Sequence, residues 1–164
     1  MNKRRIKMRK GTKAGWLLLF FLILFPCALA FTQTADEMDS LLQADAVSAA
    51  QAARFVLGTA DLLSPDLSGP AAETTAYETA RLNGWITIAA GESISLKDAA
   101  FLIMRAFELK GGIMYSLLKN PRYAYREMIY RKLIQGRVNP AMNVSGQKLL
   151  QILDSTLSYA GGVK

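Results

Sequence analysis

Between Ile94 and Leu109 the apolar residues Ala99, Ala100, Leu102, Ile103, Ala106 and Phe107 recur at three- and four-residue spacing, and Lys97, Asp98, Arg105 and Glu108 fall outside that stripe. This is the pattern of an amphipathic helix, and it opens with Ile94-Ser95, an apolar residue followed by a good N-cap. The same opening stands 47 residues earlier as Val47-Ser48 and 50 residues later as Val144-Ser145. Laid in register, the three stretches align Ala53 with Ala100 and Leu150, Val56 with Ile103 and Leu153, and Ala60 with Phe107 and Leu157. The pattern predicts one helical unit written three times, with Val56, Ile103 and Leu153 in a shared core.

Each of these helices is preceded by a shorter one. In the first unit, about 34–63, Thr34 and Glu37 form a capping-box pattern, and the helix behind them turns Met38, Leu41 and Leu42 inward. A second helix runs from Ser48 to near Leu63. The stretch Ser64 to Pro70 reads as a linker, because two prolines, a glycine and two serines do not continue a helix. In the second unit, about 75–110, a first helix stops at Asn83-Gly84, Trp85 to Ile88 forms a short extended segment, and Gly111-Gly112 ends the second helix. A short helical insertion, Ile113 to Lys119, then reaches a turn at Asn120-Pro121. In the third unit, about 122–160, a first helix from Arg122 to Ile134 carries Tyr125, Met128, Ile129 and Leu133 on one side, and Ser145 caps the last helix. No segment alternates strictly enough to require a sheet. The expected fold is all-α: three helix-loop-helix units packed as one domain, with small extended pairings where the loops cross.

Residues 1–30 stand apart. Seven Lys and Arg between Lys3 and Lys13 precede the apolar run Trp16 to Phe25, Pro26 and Ala28-Leu29-Ala30, the layout of a secretory signal peptide cut after Ala30. The apolar run is too short to span a bilayer. Lipoprotein processing at Cys27 is the rival, weakened by Pro26 where a small residue should precede the cysteine. Beyond residue 30 there are thirteen acids and thirteen bases, so the formal charge of +7 belongs to the leader. Export and a neutral domain together argue against nucleic acid as a partner. The charge is nonetheless segregated, with ten acids and three bases in 31–98 and three acids and ten bases in 99–164. With no His anywhere and no Cys beyond Cys27, thiolate catalysis, His-assisted serine chemistry and most transition-metal sites are excluded from the domain, and no metal or cofactor is expected.

The second unit, from Ala76 through Trp85-Ile86 to Ile94-Ser95-Leu96-Lys97-Asp98 and Arg105-Ala106, resembles an S-layer homology repeat. Ser95 stands at that family's Thr, Asp98 at its Glu and Arg105-Ala106 at its later Arg-Ala pair. The third unit matches through Leu133-Ile134-Gln135-Gly136, Asn139-Pro140 and Val144-Ser145, and the first through Val47-Ser48. The resemblance implies a spindle with the three second helices at its centre, and an envelope setting. The family arginine associated with binding pyruvylated wall polymer corresponds here to Ala49, Leu96 and Gly146, none of which holds an anion.

One stretch exceeds what the repeat needs. From Tyr115 to Arg137, Lys119, Arg122, Arg126, Arg131, Lys132 and Arg137 interleave with Tyr115, Tyr123, Tyr125 and Tyr130. Arg122, Tyr123, Arg126, Tyr130, Arg131 and Arg137 are therefore candidate ligand-binding residues, for an anionic polymer or a headgroup boundary, with Trp85 as a candidate sugar platform. The competing reading makes the tyrosines half-buried packing residues, the cations partners of the acidic first half, and Trp85 an anchor. Glu73, Glu78, Glu92 and Asp98 are the acids a glycan hydrolase would need, but no spacing selects a pair. The expected function is an exported, non-catalytic module of periplasm or cell surface that attaches to or organises a wall or anionic envelope polymer. A periplasmic adaptor for an envelope protein is second and a glycan-cleaving enzyme third.

Overall fold

The structure, a computed structural model, describes residues 26–136 and 138–162. The first 25 residues of the leader predicted over 1–30 and the candidate Arg137 lie outside these residues. Seven helices and no strand appear among the described residues: α1 Pro26–Gln43, α2 Ala49–Thr59, α3 Gly69–Leu82, α4 Leu96–Ala106, α5 Ile113–Leu118, α6 Pro121–Tyr130 and α7 Gly146–Gly162. The fold is all-α.

Helices α2, α4 and α7 begin alike. The side chains of Ser48, Ser95 and Ser145 accept the backbone N–H of Gln51, Asp98 and Lys148 at 3.1, 3.4 and 3.3 Å, each satisfying an N–H that the first helical turn leaves without a partner. The residues just before the caps close a ring. Val47 N–H donates to the Val144 carbonyl at 2.8 Å, Val144 N–H to Ile94 at 3.1 Å, and Ile94 N–H back to Val47 at 2.9 Å. A second ring runs in the opposite sense: Ala49 donates to Glu92 at 2.8 Å, Leu96 to Met142 at 2.9 Å and Gly146 to Ala44 at 2.9 Å. Val47, Ile94 and Val144 are buried, where an unpaired amide costs about 1–3 kcal/mol, so the loops are held because each supplies the partner another lacks. The expected extended pairings where loops cross take this form, as isolated bridges between Ser48 and Ser93 and between Ser95 and Asn143.

Packing follows the same cyclic order. α2 packs on α3, α4 on α6, and α7 on α1. α2 also touches α4 and α7. Val56, Ile103 and Leu153 share one buried cluster with Ala52, Ala99 and Leu149. The expected outer row is not buried: Ala60 and Phe107 are half-buried and Leu157 is exposed. α4 is buried nearly all round, with Phe101 and Met104 in the core beside its predicted stripe.

Several boundaries differ from the sequence expectation, each for a local reason. α1 runs through Thr34, which is interior and not a cap. Glu37 instead accepts the Gly69 N–H at 2.5 Å and pairs with Arg54 at 3.6 Å. Only Leu41 of α1's expected inward residues is buried, Met38 and Leu42 being exposed. α3 begins at Gly69, ahead of the expected Thr75, because Pro70 fits the first turn of a helix. α2, α4 and α6 stop early, at Thr59, Ala106 and Tyr130, because Asp61, Glu108 and Lys132 adopt left-handed backbone at φ 59°, 50° and 60°. Leu62, Leu109 and Leu133 then donate back to Leu57, Met104 and Met128 at 2.9 Å in each case, closing the last turn. Gly84 closes α3 the same way at φ 68°, as its Asn-Gly signal predicts.

Candidate functional site

Helix α6 is the centre of the basic and aromatic stretch. Asn120 Oδ1 accepts the Arg122 N–H at 2.8 Å and Pro121 occupies the first turn, so the helix start is fixed by its own sequence. Ala124 and Met128 point into the core, which turns positions 122, 126 and 130 outward. Arg122, Arg126 and Tyr130 are all exposed, one helical turn apart, with Tyr130 showing 83% of its surface. Neither arginine has an ion-pair partner among the described residues, where the pairs are Arg54–Glu37 and Arg131–Glu127. Neither pair joins the acidic to the basic half, so pairing between halves does not account for the exposed cations.

Arg131 is a different kind of residue from its neighbours. Its Nε donates to Glu127 Oε1 at 2.8 Å, one terminal nitrogen to the Tyr159 hydroxyl at 2.5 Å and the other to the Lys110 carbonyl, and its plane lies 5.1 Å from the centre of the Tyr159 ring. It fastens α6, the end of α7 and the loop after α4 to one another. The sequence places Arg131 with Arg122 and Arg126 among the candidates, and the structure sets it apart from them, with its guanidinium engaged on three acceptors inside the protein. Glu127 also accepts the Gly112 N–H at 3.0 Å. Burial pushes its carboxyl up, but the bonds from Arg131 and Gly112 outweigh that and hold it below the usual carboxylate range.

The tyrosines divide. Tyr125 donates its hydroxyl to the Val138 carbonyl, as Tyr77 does to Ile88 at 2.8 Å, so both staple a first helix to the loop that follows it. Tyr115 is buried, its ring edge-on to Phe101 with centroids 6.5 Å apart, and burial raises its phenol above the ordinary value against a small opposing effect of Arg105. Tyr123 is half-buried and lines a cleft of about 440 Å³ between α5 and α6, together with Ile113, Met114, Tyr115, Arg126 and Glu127. Tyr130 alone is free on the surface in the way a stacking residue would be.

Trp85 is not in that cleft. It lies half-buried against the core and borders separate grooves, one of about 220 Å³ with Ile88, Asp98, Phe101, Leu118 and Lys119. Its indole Nε1 is buried with no protein partner. The structure thus groups Arg122, Arg126, Tyr130 and Tyr123 on one face and sets Trp85 apart, with α5 between. Ser95 and Asp98 bond to each other as a helix cap, and Glu92 accepts the Ala89 N–H at 3.3 Å. Ala49, Leu96 and Gly146 are buried in the ring. Sequence reasoning missed α5 as part of the surface. Its signal was available, four aliphatic residues in an insertion that the other units lack.

Comparison with family models, with curated proteins and with solved structures finds no match to this chain.

Proposed function

We propose that the chain is an exported, non-catalytic module of the cell envelope, built from three S-layer-homology-like units, that attaches to an anionic wall or outer-surface polymer. The observation that carries this reading is the outward stripe Arg122, Arg126 and Tyr130, two unpaired guanidinium groups one turn apart with an exposed aromatic ring in line. Like charges at this spacing cost a helix about 0.2–0.5 kcal/mol, and an anion lying across both removes that cost. A polymer of repeating charge suits a stripe better than a pocket does. The closed rings and cyclic packing supply a rigid base for it, and the buried family positions direct attention away from the ring and toward α6.

Sedimentation with isolated cell-wall sacculi tests the reading. The protein should pellet with sacculi at 0.1 M salt and be released toward 1 M, as the screening length falls from about 10 Å to about 3 Å. Replacing Arg122 and Arg126 together by Gln should weaken pelleting while leaving the melting temperature nearly unchanged, since exposed charges contribute about 0–1 kcal/mol to folding. Pelleting that requires an added envelope protein would favour the adaptor reading, and pelleting unaffected by the double replacement would place the binding face elsewhere.

A further inference from the structure

Helix α5 turns most of its apolar surface to solvent. Ile113, Met114, Leu117 and Leu118 leave 84, 57, 76 and 53% of their surfaces exposed, and only Tyr115 of the helix is buried. Isolated apolar residues on a surface are ordinary, but four on one six-residue helix form a contiguous patch. The connection between α2 and α3, which occupies the corresponding place in the first unit, carries no helix. The ring and the core do not need α5 beyond Tyr115.

The charge around the patch has one sign. From Leu109 to Arg126 the sequence holds Lys110, Lys119, Arg122 and Arg126 and no Asp or Glu. These cations flank the helix: Arg126 shares the cleft toward α6 with Ile113 and Met114, while Lys110 and Lys119 line a groove of about 350 Å³ on the side of α4 with Tyr115 and Ser116. Of the nearby acids, Glu127 is paired with Arg131, and Glu108 lines the same groove as Lys110, Lys119 and Arg105, where the bases outnumber it. None of the four cations is in an ion pair among the described residues.

We propose that α5 is a membrane-surface element, whose four aliphatic side chains enter the boundary between headgroups and acyl chains of an anionic leaflet while Lys110, Lys119, Arg122 and Arg126 lie against lipid phosphates. A helix of six residues is about 9 Å long and lies in the interface without crossing it. A protein groove would read anchors spaced over two or more turns, which α5 is too short to present, whereas a leaflet asks only for apolar side chains ringed by cations. The proposal does not rest on the wall-polymer reading, since a polymer held by Arg122 and Arg126 has no use for exposed Ile113 and Leu117.

The test uses protein expressed as the full chain and recovered after export. It is mixed with vesicles of phosphatidylglycerol and phosphatidylcholine, and with phosphatidylcholine alone. Flotation measures binding, and amide hydrogen exchange across 109–126 reports which segment is covered. The proposal expects flotation with the anionic vesicles only, slowed exchange within α5, loss of at least tenfold in binding for Leu117→Glu, and about a fivefold loss for each cation changed by Lys119→Gln or Arg122→Gln. Leu117 is exposed, so its variant should melt like the parent; were it to unfold, the exchange of the unaltered protein decides alone. Flotation without protection of α5 would overturn the proposal, as would equal binding by Leu117→Glu. Concentration-dependent self-association abolished by Leu117→Glu, without vesicle binding, would assign α5 to a second copy of the chain and overturn it too. Sacculi pelleting that survives Leu117→Glu while flotation is lost would support the proposal and separate it from the wall-polymer reading, which shares Arg122 and Arg126 with it but not Leu117.

Discussion

Replacing Gly146 by Ala should be among the most damaging single-methyl changes in this protein. Gly146 opens α7 against the last turn of α1, and a Cβ built on it would stand 2.5 Å from the Leu41 carbonyl carbon, closer still to its oxygen, and 3.1 Å from Leu41 Cγ. The first two atoms are backbone, so no side-chain rotation relieves the overlap. Either α1 or α7 must move by an ångström or more. That displacement strains the Gly146 to Ala44 hydrogen bond of 2.9 Å and, two residues away, the Val144 member of the inner ring. Alanine returns about 1 kcal/mol through helix propensity, while overpacking of a tight core costs about 1–3 kcal/mol and a buried amide pulled from its acceptor costs about 1–3 kcal/mol more. The net expectation is a loss of about 2–4 kcal/mol. Urea unfolding followed by circular dichroism would read this as a midpoint lowered by about 1–2 M, given slopes of about 1–3 kcal/mol per M. Gly161→Ala in the same helix is the control, because an added Cβ there meets nothing within 4 Å, and it should match or slightly exceed the parent. If both variants unfold at the parent midpoint, α1 and α7 do not approach through their backbones and the closure of the third unit onto the first is wrong.

Ile103→Ala should cost about 2–5 kcal/mol, as expected of a fully buried position in the shared cluster, whereas Leu157→Ala should change stability by about 0.5 kcal/mol or less; equal effects in the same urea assay would break the register. Arg131→Met should lower stability by about 1–3 kcal/mol by leaving Glu127 Oε1 and the Lys110 carbonyl without a donor, and it should cost far more than Arg122→Gln and Arg126→Gln combined, as thermal unfolding of the three variants would show. Because Glu127 titrates below its usual range when folded, its contribution is complete above the unfolded value of about 4.3 and is lost as pH falls through the lower folded value. Stability measured from pH 6 down to pH 2 should therefore fall less steeply in Glu127→Gln than in the parent, and parallel curves would refute the assignment.

What could be read from the chain was what a single helix face or a single cap decides. Val56, Ile103 and Leu153 are buried because three-residue and four-residue spacing places them beside Ala52, Ala99 and Leu149, and the three serines cap because their position before an apolar run leaves them no other use. Helix ends were less legible. Asp61, Glu108 and Lys132 take up left-handed backbone without being Gly or Asn, and nothing in their side chains announces it; the leucine that follows each one, folding back on the preceding turn, is the better signal. The role of Arg131 was illegible for a related reason. Its acceptors Lys110 and Tyr159 lie 21 and 28 residues away in sequence, and its i,i+4 carboxylate Glu127 looks like any surface pair until those two are added.

The rings also bear on where function can reside. Val47, Ile94 and Val144 use their backbone groups on one another, so the part of each unit that is most alike is also the part with least left to offer a ligand. A chain that closes cyclically has no free edge in its centre, and chemistry toward a partner must come from what one unit has and the others lack. Two such departures stand out, the exposed cations of α6 and the apolar helix α5, and they are neighbours across a single cleft. Both follow the core helix α4 in sequence, and Tyr115 and Arg131 hold them to the domain through Phe101 and Lys110 on that side. A surface fixed at both ends in this way keeps its cations and its aliphatic residues in a constant relation, which lowers the entropy cost of ordering them together against any one partner.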